Sequence, residues 1–253
     1  MNYTEAEKIV MPVALIAIII IGFILRIVLK NKSDKIKNIP LTAIIVVMLV
    51  LELVKQIRLI ATGTWTYWNI PIHFCSSFMI WFSVAQFGRG RVKEIGQACS
   101  LSSGILMTIM FYIYPSSIIG NACANPFANF STFHTFTFHF LAICYWVWLV
   151  MLNLYKPNKN DLWICAIVYF VYYIILTAMA YIFNTNFSNA LQSNINFMEQ
   201  FRLTCGQIPY TIVMFLFGIG AIVAILAIYM GLQLCASKKS ASTKDKLTGE
   251  NYE

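Results

Sequence analysis

The chain has 253 residues, 59% hydrophobic and only 11% charged, with a net charge of +8 and a mean hydropathy of +0.72. An ordinary soluble domain carries about 25% charged residues, so that class is excluded. Nucleic acid is not an expected partner, because nearly all the basic residues fall in three short connections and a tail, where they serve membrane orientation.

Residues 1–8 carry Glu5 and Glu7 instead of a basic n-region, and the apolar run at 9–29 is long enough to span. It reads as an uncleaved anchor. Further apolar stretches follow at about 40–60, 71–87, 95–114, 133–154, 162–183 and 208–235, the second of these being the shortest. Crossing the hydrocarbon core takes about 20 residues. Pro12, Pro40, Pro71 and Pro209 lie in the first turns of their stretches, where a missing N–H costs little. The expected architecture is all-α: a seven-helix transmembrane domain over 1–235 and a disordered cytoplasmic tail over 236–253.

Thirteen Lys and Arg residues lie in the connections 30–39, 88–94 and 155–161 and in the tail; the alternate side holds Lys8, Arg58 and Arg202. That asymmetry places the N-terminus outside and the C-terminus in the cytoplasm, which requires an odd number of spans. The outward-facing connections 61–70 and 115–132 have no charge, and Trp65, Tyr67 and Trp68 read as an aromatic belt.

With this topology, polar side chains from five helices reach one depth near the outside. Glu52, Lys55 and Gln56 share a face of the second stretch. His73 starts the third, with Ser76 and Ser77 on its helical face and Cys75 turned nearly opposite. His139 lies about 9 Å below Phe133, with Thr135 one turn before it. Tyr173, Thr177, Tyr181 and Asn184 form a stripe on the sixth stretch, and Tyr210 opens the seventh. Glu52 with Lys55 also reads simply as a charge pair that fixes helix register, and His134 as structural. Ser100, Ser102, Ser103 and Gly104 read as a small-residue packing face. Seven cysteines show no metal spacing; no metal site and no cofactor is expected. Cys123 and Cys205 both fall in outward loops, where a disulfide is an open alternative.

The stretch Pro71-Ile72-His73-Phe74-Cys75 resembles the Leu-Pro-Leu-His-Leu-Cys motif of the YwaF family of bacterial integral membrane proteins. Tyr114-Pro115, Phe133-His134 with His139, Phe183-Asn184-x-Asn186 and Pro209-Tyr210 are similar to later motifs of that family. The resemblance covers most of residues 40–230. Its eukaryotic relatives include a transmembrane acyltransferase acting on ether phospholipids, which implies a Cys nucleophile working with a His on acyl esters. Three functions stay open. In the first, an acyl-transfer or lipid-hydrolysis enzyme, His139 or His73 is the base and Cys75 or Thr135 the nucleophile. Glu52, Lys55, Gln56, Tyr181, Asn184, Asn186 and Tyr210 then bind a lipid or small-molecule substrate. In the second, a transporter, the same groups line a path. In the third, a structural subunit, they only pack helices.

Overall fold

The computed structural model describes residues 5–119 and 122–249, with side chains placed except at 116, 117 and 238–249. The described residues are helical, with no strand. In chain order the helices are α1 Glu5–Leu29, α2 Asp34–Lys37, α3 Ile39–Ala61, α4 Ser77–Phe87 and α5 Gly90–Ile113. They continue as α6 Pro115–Ile119, α7 Phe130–Met151, α8 Asn160–Ile182, α9 Asn196–Cys205 and α10 Gln207–Gly249. The stretch expected at 208–235 lies within α10, whose helix runs on through the first part of the tail; residues 250–253 lie outside the described residues.

Among the described residues, five helices (α1, α5, α7, α8 and α10 to Ser237) are long and apolar enough to cross a membrane. The interior belongs to two of them. The apolar window of α5 is 61% buried and that of α7 50%, against 11–17% for α1, α8 and α10. On α5 the small-residue face is what permits this. Ser100, Ser102 and Ser103 are wholly buried and turn their hydroxyls back to the carbonyls of Gly96, Ala98 and Cys99. They bring no unpaired polar group to the interface. A Cβ on Gly104 would meet the ring of Trp146, 2.8 Å away, and one on Gly96 the α4 backbone. The peripheral α1 is held by two long-range hydrogen bonds, from Tyr112 Oη to the Met11 carbonyl (2.8 Å) and from Trp148 Nε1 to that of Ile18 (3.0 Å).

Three helices end in one kind of cap. At α3, α7 and α8 the left-handed residue is Gly63, Asn153 or Asn184, and the next residue's N–H returns to a carbonyl in the last turn. Asn184 therefore terminates α8. The basic end of the bundle is tied by Asp161, only 1% exposed, which accepts from Arg91, from Tyr155 Oη (2.7 Å) and from Asn158 N (2.8 Å). There the first turn of α5 meets the start of α8.

The third apolar stretch departs from expectation. Only Ser77–Phe87 is α-helical, and residues 71–76 run through turns. Irregular backbone at membrane depth survives only where it is buried in protein or lines a cavity. This segment meets that condition: Phe74 N–H donates to Ser188 Oγ (2.6 Å), and the Ile72 carbonyl accepts from Tyr172 Oη (2.9 Å). Losing the helix also changes where side chains go, since the opposition of His73 and Cys75 held only for a helix.

Candidate functional site: a polar cavity at one end of the bundle

A cavity of about 500 Å³ lies at the end where α3, α5 and α8 finish and α4, α7 and α10 begin. Among its lining residues are Glu52, Lys55, His73, Cys75, Thr135, His139 and Asn186. The sequence separates these residues by up to 134 positions, and the fold brings them to one place.

The charged wall is built by α3. Glu52 is 7% exposed; its carboxylate accepts from Lys55 Nζ (2.8 Å) and Gln56 Nε2 (2.7 Å). His134 of α7 brings its Nε2 to 3.2 Å from the same carboxylate. A buried carboxylate needs such partners, because desolvating it alone costs several kcal/mol. Gln56 does not line the cavity. Its second amide hydrogen goes to the Asn69 carbonyl (2.7 Å) and its oxygen accepts from Trp65 Nε1 (2.9 Å), so it holds the 65–69 loop to α3.

The two candidate histidines are held differently. His73 Nε2 lies 3.1 Å from the Trp68 carbonyl, which can only accept, so that nitrogen carries the proton. Its Nδ1 accepts the Ser188 N–H at 3.4 Å, and the ring packs 4.3 Å from Trp68 and 5.1 Å from Phe187. Both ring nitrogens of His73 are engaged by backbone, so His73 braces the loop. His139 uses Nδ1–H on the Thr135 carbonyl, one turn back (2.7 Å). That bond puts the proton on Nδ1 and leaves the Nε2 lone pair uncommitted; Nε2 has no hydrogen-bond partner among the described residues. Phe111 and Phe138 pack around the ring.

The far wall is the connection between α8 and α9. Ser188 and Asn189 adopt left-handed backbone (φ 49° and 64°). Asn tolerates this conformation, whereas Ser does so at a cost. The segment is over-determined. Tyr210 Oη donates to the Asn189 carbonyl (2.5 Å), Gln207 Nε2 to that of Ala190 (2.9 Å), and Asn186 Oδ1 accepts from Leu191 N (2.9 Å). Tyr210 is thus a wholly buried brace behind the wall, and Tyr181 is 56% exposed on the outer side of α8. Neither lines the cavity, and nor does Asn184. The stripe reading missed His134, Ser188 and Asn194, all of which do. A run with Asn at 184, 186, 189 and 194 was the available signal for a tightly turned wall.

All seven cysteines are free. Cys123 is buried at 1% exposure and Cys205 is exposed, so the disulfide alternative does not hold.

Apolar helices of membrane-crossing length around an open cavity with charged and polar side chains in its wall define a multi-pass integral membrane protein. Within that class the chain belongs to the TMEM164 family, a transmembrane protein family whose match covers residues 3–232, nearly its whole length. Neither a curated protein nor a solved structure matches it.

Proposed function

We propose that this is a seven-span protein of YwaF type in the cell membrane, N-terminus outside, that transfers or hydrolyses acyl groups of membrane lipids in its polar cavity. The observation that carries this reading is one cavity lined by a thiol (Cys75), a hydroxyl (Thr135) and an imidazole with an uncommitted Nε2 lone pair (His139). In the reaction His139 Nε2 takes the Cys75 proton and the thiolate adds to an ester carbonyl. The alcohol leaves with that proton, and the acyl thioester passes to an acceptor hydroxyl or to water. Thr135 positions the base through its carbonyl, and His73 positions the loop that bears Cys75.

Two features support the topology. The 23-residue α3 adds a sixth crossing although Glu52 and Lys55 interrupt it, since they neutralise each other. The 11 residues of α4 cover roughly 17 Å, and the turns at 71–76 supply the rest of a crossing of ~30 Å. The basic connections then face the cytoplasm and the cavity faces the outer leaflet.

The test is a lipidomic comparison of cells expressing the wild type, His139→Ala and Cys75→Ala. A change in acylated lipids that both variants abolish is expected. The same change persisting in both would end the enzyme reading. The contact of Glu52, Lys55 and His134 favours a second reading, a proton-coupled path. Unaltered lipids together with pH-dependent solute uptake lost in Glu52→Gln would select it.

A further inference from the structure

Helix α9 is inverted for a helix in water. Its two charges, Glu199 and Arg202, pair with each other, and their side chains are only 25% and 23% exposed. Glu199 also accepts the Ser193 N–H (2.8 Å) from the preceding loop. Phe197 and Leu203, by contrast, are 71% and 63% exposed, and no residue of α9 is buried. At about 100° per residue, Phe197, Gln200, Leu203 and Thr204 share the outward face, and none carries charge. A helix bathed in water would turn the charged pair out and the aromatic in.

The position of α9 says what covers that face. Only Gly206, at φ 90°, separates it from α10, whose first turns expose Ile208, Ile212 and Leu216. Those residues belong to a helix of membrane-crossing character, so the uncharged face of α9 continues a surface that already meets lipid. At this end of the bundle Trp65, Tyr67 and Trp68 are also exposed, and Tyr67 stacks on Phe183 at 4.7 Å. Such rings collect where headgroups meet hydrocarbon.

We propose that α9 is an interfacial helix whose partner is the bilayer, lying along the membrane plane with Phe197 and Leu203 in the headgroup–acyl boundary. Asn194, on the cavity wall, lies two residues before α9. Anchoring α9 therefore holds this rim at headgroup level, and the cavity opens onto the lipid surface instead of bulk water.

The experiment uses the full chain with Cys205→Ser and Cys235→Ser in phosphatidylcholine nanodiscs. A spin label is placed at Phe197→Cys, Leu203→Cys or, as an aqueous control in the exposed connection after α1, Lys32→Cys. Collision with oxygen, which concentrates in lipid, is compared with collision with a water-soluble nickel chelate. The expected result is an oxygen-favoured ratio at 197 and 203, opposite in sign to that at 32. A water-like ratio at both positions overturns the proposal. So does shielding from both reagents, which would mean that a second copy or another protein covers the face. Loss of the monodisperse fold on either replacement also contradicts it, because a side chain resting in lipid carries no core packing.

Discussion

Ser188 offers a sharp test of how the cavity wall is held. Ser188→Ala removes the acceptor of the Phe74 N–H (2.6 Å) but keeps a Cβ at φ 49°. A buried donor left without a partner costs about 1–3 kcal/mol. Ser188→Gly removes the same acceptor and also relieves the left-handed strain, worth roughly 1 kcal/mol. The smaller residue is therefore the better one: Gly is expected to be about 1 kcal/mol more stable than Ala, and both less stable than wild type. Hydrogen exchange reads this at one amide. Protection at Phe74 is expected to fall about tenfold or more in both variants, since 1.4 kcal/mol is a factor of ten. Thermal unfolding in detergent gives the global order wild type, Gly, Ala. An Ala variant with unchanged protection at Phe74, or a Gly variant less stable than Ala, would refute the reasoning.

Five further outcomes follow from other contacts. Glu52→Ala strands Lys55 and one amide hydrogen of Gln56 and is expected to cost about 3–5 kcal/mol by detergent melting. Gly104→Ala drives a methyl into Trp146, whose Nε1 is fixed on Thr108 Oγ1 (2.9 Å), and is expected to lose about 1–3 kcal/mol. Gly220→Ala meets nothing within 4 Å and is expected to be neutral or to gain about 0.4–1 kcal/mol. Maleimide mass spectrometry is expected to find no disulfide, with Cys205 modified quickly and Cys123 slowly, because burial pushes the Cys123 thiol up to about 11. Hydrogen bonding from Arg202 holds the Glu199 carboxyl down at about 2, against an ordinary 4.5. Its contribution is complete above pH 4.5 and is lost as pH falls towards 2, so exchange protection at the Ser193 amide, corrected for intrinsic rate, is expected to be flat from about pH 8 to 5.

The helical, membrane-spanning body was legible in the sequence because apolar runs of the right length have few other uses. The Glu52–Lys55 pair and the small-residue face of α5 were legible because helical periodicity alone decides them. What periodicity misjudged was residues 71–76. Pro71 and an apolar run read as the first turns of a helix, yet side chains 100 or more positions away, Tyr172 and Ser188, satisfy this backbone without one. The direction of Cys75 followed from that error. His134 was passed over because its partner is on another helix, and no spacing rule pairs residues 52 and 134. Tyr181 and Asn184 were placed on a stripe that α8 does not keep, since Asn184 already caps it in left-handed backbone.

The most direct test of the central claim, that Cys75 and His139 act together in one cavity, is capture of the acyl-enzyme. The purified protein in nanodiscs is given a phospholipid with an alkyne-tagged acyl chain, and the protein-bound tag is measured before and after hydroxylamine, which cleaves thioesters. The expected result is a hydroxylamine-labile tag on the Cys75 peptide, absent in Cys75→Ala and strongly reduced in His139→Ala. No protein-bound tag on the wild type, or a tag that persists in Cys75→Ala, would contradict it.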